Sequence, residues 1–288
     1  MKKRLLVIAA LILCAGIAAA QTEGAEFALF KRNIAPVMSW GENGIISVPK
    51  ATTLGKANFF FGLMGQPAGT LQGLDLYTTS LSVMAGTSDD VELGYTRRQI
   101  IWEDLMFSNL SMDTFHLKTR FLNFGDYLLP QAAIGVNAVS LVDNTFTDRN
   151  DILFNPYLAV TSTIPVFTKK ILLSATAVAE TIMNENELGT FQFSGGVDLN
   201  LFNFLYGFAE LQGFNPKKSS NEVLNLGIKL RLGFFSAGIG MFNIALQTGD
   251  SENLIDQYRS SLVDLGNANY MATVAVDIRL GKKAQPAK

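Results

Sequence analysis

The chain contains a single histidine, His116, and a single cysteine, Cys14, which narrows its chemistry at once. A Ser-His-Asp hydrolase needs a serine within hydrogen-bond reach of an oriented imidazole. His116 is followed instead by Leu117 and Lys118, with no local nucleophile signature. Zinc asks for a set of histidines and cysteines, and calcium for a loop of spaced carboxylates. Neither pattern occurs. Asp89-Asp90 and Asp148/Asp151 read as turn residues, and Ser194-Gly195-Gly196 falls inside a strand pattern rather than a phosphate loop. No catalytic residue, metal ligand or cofactor is expected.

What remains is a constellation of charges spaced two residues apart. His116, Lys118 and Arg120 form one such run, Lys229 and Arg231 a second, Asp277 and Arg279 a third. In an extended chain, residues two apart point to the same face. Arg98, Glu92, Glu180, Asp198 and Glu210 fall likewise on the polar faces of alternating segments. Arg98, His116, Lys118, Arg120, Glu180, Asp198, Glu210, Lys229, Arg231, Asp277 and Arg279 are thus expected to line one continuous interior. The elements that hold them must be strands with an apolar opposite face.

That alternation recurs along the chain. Residues 114–121 set Phe115, Leu117, Thr119 and Phe121 against Thr114, His116, Lys118 and Arg120. Residues 223–232 set Leu224, Leu226, Ile228, Leu230 and Leu232 against Asn225, Gly227, Lys229 and Arg231. Twelve strands are predicted: 57–64, 76–85, 91–102, 114–121, 131–139, 155–163, 171–180, 191–201, 205–214, 223–232, 235–245 and 270–280. Two of them, 57–64 and 235–245, are apolar on both faces and rest on composition. Most approach the roughly 9–11 residues of a tilted membrane strand rather than the 5–6 of a globular one. A one-residue slip of 114–121 would turn Lys118 and Arg120 toward lipid at about 2–4 kcal/mol each. The joins also alternate. Short ones at 86–90, 164–170, 202–204 and 233–234 intersperse with longer polar ones at 103–113, 141–154, 181–190, 215–222 and 246–269; only 122–130 is long on the short side. The expected fold is all-β, an up-and-down antiparallel transmembrane β-barrel of about 12 strands in the outer membrane.

Composition agrees. The chain is 48% hydrophobic and 17% charged, below the roughly 25% charge of soluble domains. Disorder and a basic nucleic-acid-binding surface are excluded. Lys2, Lys3 and Arg4, an apolar core and Ala18-Ala19-Ala20 read as a signal peptide over residues 1–20. Leu13 before Cys14 argues against lipoprotein processing. No later stretch offers the roughly 20 apolar residues of a spanning helix. Residues 21–56 are expected to be a periplasmic leader or a small plug, 57–280 the barrel, and 281–288 a basic periplasmic tail. Leu254, Ile255, Tyr258, Leu262 and Val263, with Gly266 as a cap, predict a short amphipathic helix in the last long join.

Three stretches carry a resemblance. Gly44-Ile45-Ile46-Ser47-Val48-Pro49-Lys50-Ala51, Val91-Glu92-Leu93-Gly94-Tyr95-Thr96, and the run from Lys118 through Gly125-Asp126-Tyr127-Leu128-Leu129-Pro130 to Gly135 resemble outer-membrane proteins of the YjbH type. That family is associated with exopolysaccharide production. The resemblance covers roughly the first half of the chain and implies an outer-membrane barrel accessory to exopolysaccharide export. Outer-membrane lipases, which are also twelve-stranded barrels, carry serine and histidine on the outside of a strand, whereas alternation points His116 inward.

Two functional readings stand. In one, the barrel is a narrow channel for small polar or anionic, sugar-like solutes, drawn by basic walls on the opposed fourth and tenth strands. Ala133, Gly135, Ser174, Thr176, Gly196 and Gly227 leave it room, and Tyr206 and Phe208 narrow it. In the other, pairs such as Glu210 and Lys229 fill a closed structural barrel whose outer loops do the work. Outer-membrane lipid and the barrel assembly machinery are expected partners in both; nucleic acid is not.

Overall fold

The computed structural model describes residues 43–71, 74–102, 107–124, 129–143, 149–183, 191–214, 223–245 and 269–280. Twelve strands follow one another: β1 (Asn58–Leu71), β2 (Leu74–Gly86), β3 (Val91–Trp102), β4 (Phe107–Leu122), β5 (Gln131–Asp143), β6 (Arg149–Val166), β7 (Thr168–Glu180), β8 (Gln192–Leu201), β9 (Leu205–Phe214), β10 (Val223–Leu232), β11 (Phe235–Ala245) and β12 (Asn269–Arg279). Each pairs antiparallel with its neighbour in sequence, and β12 pairs back on β1 to close the cylinder. The expected fold is the observed one.

Register follows the two-residue pattern. In β4, Phe115, Leu117 and Phe121 are exposed on the outer wall while Thr114, His116, Lys118 and Arg120 are buried within. Leu117 stands beside Leu93 and Val136, whereas Lys118 stands beside Glu92 and Gly135. Ile134, Leu158, Ile228 and Ile239 continue the apolar exterior; Ser80, Ser82, Thr96, Thr161 and Ser174 are buried inside. This inverts a soluble barrel. An apolar outer wall around a polar interior is stable only with hydrocarbon as the outer solvent.

Several strands run farther toward the long-loop rim than alternation predicts, β4 starting at Phe107 and β6 at Arg149. Midway along β3 and β4 the outer face ceases to be purely apolar. Tyr95 Oη donates to Asp113 Oδ1 at 2.7 Å, with Arg97 at 3.8 Å from the same carboxylate. The short-turn rim, periplasmic in barrels of this kind, reverses the chain through left-handed Phe167, Phe202, Asn203 and Gly233. Residues 1–20, the predicted helix at 254–266 and the tail at 281–288 lie outside the described residues.

Candidate functional site: a segment held in the lumen

Residues 43–54, which precede β1, lie inside the barrel. Asn43, Ile45, Ile46, Val48, Lys50, Ala51, Thr52 and Leu54 are all buried. The segment first folds on itself. Ile45 N–H donates to the Val48 carbonyl at 2.9 Å and Lys50 N–H to the Asn43 carbonyl at 3.0 Å, making a tight loop with Ile45–Val48 at its tip. Asn43 Nδ2 ties the base of the loop to the Thr52 carbonyl and hydroxyl, each at 3.0 Å.

A loop whose amides turn outward must find acceptors when buried. The wall supplies carboxylates. Glu210 of β9 accepts from the backbone N–H of Ile46, Ser47 and Val48 at 2.8 to 3.1 Å, and also from Asn225 Nδ2 and Gln212 Nε2. Successive amides converging on one anion form a nest; here the anion belongs to the wall and the nest to the segment. Glu92 of β3 accepts from Asn43 N–H and Leu54 N–H, both at 2.9 Å, so it grips the segment at both ends. Asp198 of β8 pairs with Lys50 Nζ at 2.7 Å, and Thr161 of β6 accepts from Ala51 N–H.

Apolar contacts complete the seating. Ile45 and Ile46 pack with Met64, Phe208 and Met271; Val48 and Ala51 with Ala133, Tyr157, Ala159 and Val178; Leu54 with Phe60, Met84 and Ala275. The room expected beside small inward residues is therefore filled. A Cβ at Gly196 would lie 2.5 Å from Ile45, one at Gly135 would meet the Tyr157 ring, and one at Gly227 the Phe208 ring.

The charged residues singled out from the sequence are distributed as follows. Lys118, His116 and Glu92 cluster: Lys118 Nζ is 3.1 Å and His116 Nε2 3.3 Å from Glu92 Oε1, and Lys118 also donates to the Asn43 carbonyl. Arg120 clamps the first short turn, reaching Asp90 Oδ1 and the Asp89 carbonyl at 2.8 to 2.9 Å. Arg231 pairs with Asp277 at the same rim. Arg98 is buried, with Nε donating to Ser80. Glu180 is half-buried and accepts from Ser194 and Asn155. Lys229 is buried on β10, but it stands opposite Tyr206; Glu210 stands opposite Asn225. The expected Glu210–Lys229 pairing is thus corrected: Glu210 is turned to the lumen segment. Arg279 closes the β12 ladder opposite Asn58, and its side chain lies outside the described residues. No group of metal-binding side chains occurs among the described residues.

The segment leaves the lumen for β1 through a tight passage. Gly55 and Ala57 adopt left-handed backbone, and a Cβ at Gly86 would fall 1.9 Å from the Gly55 carbonyl oxygen. Ala57 N–H donates to the Gly86 carbonyl at 2.9 Å, so neither backbone is at liberty to withdraw. Gly86→Ala should therefore destabilise the barrel by about 1–3 kcal/mol, read as a lower urea midpoint for the loss of folded gel mobility. Gly65→Ala, where a Cβ meets nothing within 4 Å, should leave that midpoint unchanged.

No family model matches the chain, and no curated protein matches it. Among solved structures it is similar to KdgM porin, with a TM-score of 0.50 at 10% identity over 77% of this chain and 100% of that one. The outer membrane phospholipase A of Escherichia coli matches with a TM-score of 0.44 at 12% identity, over 89% of this chain and 98% of that one. At such identity the likeness to the porin is one of fold: this chain has the architecture of an outer-membrane β-barrel.

Proposed function

We propose that this protein is an outer-membrane channel for small polar or anionic, sugar-like solutes, held shut by its own residues 43–54. The observation that carries this reading is the manner of closure. Carboxylates and one ion pair hold the segment through bonds that water can replace, within a wall rich in serine and threonine hydroxyls. A wall meant only to be filled packs best with apolar residues. One that meets water when the segment withdraws needs its hydroxyls.

The basic walls expected to attract anions are engaged in the closed state, Lys118 by Glu92, Arg120 by Asp90 and Arg231 by Asp277. Arg98 and Lys229 stand on the same inner walls, so the solute class stays small polar or anionic, sugar-like molecules. Sugars of the kind handled in exopolysaccharide export, to which the YjbH resemblance points, belong to it. Outer-membrane lipid would surround the apolar wall, and the barrel assembly machinery would insert it. His116, inside the barrel against Glu92, has no role in hydrolysis in this reading.

Planar-bilayer recording tests the proposal. The full chain should be nearly silent, and a variant lacking residues 43–54 should conduct steadily. A deletion variant that retains heat-modifiable mobility yet stays as silent as the parent would overturn it, leaving a closed structural barrel whose outer loops carry the function.

A further inference from the structure

The seam that closes the barrel parts before its strands end. The β1–β12 ladder runs from Asn58↔Arg279 to Gly65↔Ala272, yet β1 continues beside β2 to Leu71 and β12 begins beside β11 at Asn269. Pro67, which has no N–H to offer a neighbour, stands on the stretch of β1 beyond the ladder. At this level lies a cavity of about 940 Å³, within the ~300–1,000 Å³ range of small-molecule sites.

Its lining comes from both faces of the wall. Gln66, Thr78 and Met271 are buried on the lumen side, whereas Ile228, Ile239 and Tyr270 are exposed on the lipid side. Residues of both faces thus border one open pocket at the seam. Among the described residues no Lys, Arg, Asp or Glu lines it. Its surface is apolar except for a few groups, and two of its lining residues keep an unmet oxygen just beneath it. Gln66 Oε1 and Thr78 Oγ1 are buried without a hydrogen-bond partner. Native proteins rarely leave buried acceptors unmet.

We propose that this seam binds a single-chain amphiphile with an uncharged, hydroxyl-bearing head, for which a monoacylglycerol is the probe. The head donates to Gln66 Oε1 and Thr78 Oγ1 as those side chains turn out from beneath the pocket surface. The chain passes between β12 and β1 along Met271, Ile239 and Tyr270 into the surrounding lipid, so it never crosses water. The absence of lining charge selects against phosphate and carboxylate heads, which would be buried without a counter-ion. The site shares Phe208 and Met271 with the seat of Ile45 and Ile46, so it is tested on the protein with residues 43–54 in place.

The test uses the intact protein in nanodiscs and a monoacylglycerol with a photoreactive diazirine in its chain, the labelled peptides being mapped by mass spectrometry. Saturable labelling concentrated on 226–241 and 269–272, competed by unlabelled monooleoylglycerol, is expected. Gly65→Leu should cut that labelling about tenfold while folded gel mobility is kept, because the open space at Gly65 lets the larger side chain enter the cavity. Gln66→Leu with Thr78→Val should weaken the monoacylglycerol about tenfold and leave a headless diazirine alkane unaffected. Labelling spread evenly over the outward residues of all strands and unchanged in Gly65→Leu would reduce the site to ordinary surrounding lipid and overturn the proposal. Equal labelling by a phosphate-headed analogue would overturn the assignment of the head.

Discussion

Glu210→Ala should free the lumen segment while leaving the barrel folded. In the native protein the carboxylate of Glu210 accepts from three consecutive amides, those of Ile46, Ser47 and Val48, and from two side-chain amides of the wall. Hydrogen bonds to a charged group contribute about 1.5–3 kcal/mol each. Removing the carboxylate also relieves the cost of burying it, so the three backbone bonds do not sum. A net loss near 3 kcal/mol is expected, which shifts the balance between seated and released segment about a hundredfold. Lys50 provides the readout. Its side chain is buried against Asp198, so trypsin cannot cut after it until the segment leaves. Cleavage there should accelerate about a hundredfold in Glu210→Ala, with a parallel rise in open probability in bilayers. Asp198→Asn strands the buried Lys50 ammonium of the segment, at about 3–5 kcal/mol, so it should release the segment at least as strongly. Unchanged cleavage in a folded Glu210→Ala barrel would mean that the packing of Ile45, Ile46 and Val48 with the Glu92 and Asp198 contacts is enough to hold the segment.

The contrast between wall and segment explains what the sequence makes legible. Strand register is written locally, because each residue of β4 or β10 faces either lipid or lumen and its type answers to that alone. The twelve strands and the burial of His116, Lys118 and Lys229 follow from parity. Partners across the lumen do not, since they depend on what stands inside. The inward Phe60 and Met64 break the alternation of β1 because they pack against Leu54 and against Ile45 and Ile46. A strand apolar on both faces looks featureless until the second apolar surface is found. The signal was nonetheless present. The run Ile45-Ile46-Ser47-Val48 belongs to no strand, and the inner wall carries an apolar excess at Ala133, Val178 and Met271 that matches it. The partner of Glu210 is hidden for a related reason: choosing Asn225 rather than Lys229 as its neighbour needs the register of the β9–β10 hairpin, which parity fixes only to the nearest even step.

Glu92→Leu should be among the most damaging single substitutions in the barrel, and a second substitution should partly repair it. Glu92 is fully buried, and four groups converge on it: the amides of Asn43 and Leu54, Lys118 Nζ and His116 Nε2. Leucine has similar bulk but no charge. It would strand the Lys118 ammonium, itself fully buried, and leave two amides without acceptors. Breaking one side of a buried ion pair costs about 3–5 kcal/mol, a large share of the 5–15 kcal/mol by which proteins are ordinarily stable. Adding Lys118→Met removes the stranded charge and should return part of that loss, with a coupling of about 1–3 kcal/mol between the two sites. Full recovery is not expected, because the Asn43 and Leu54 amides still lack partners at about 1–3 kcal/mol each. The predicted order of urea midpoints in lipid vesicles is therefore parent, then double variant, then Glu92→Leu. In a protein already lacking residues 43–54 the amide contribution vanishes and only the ion pair remains. There the double variant should approach the stability of its own parent, because the carboxylate then has Lys118 to neutralise and no backbone to grip.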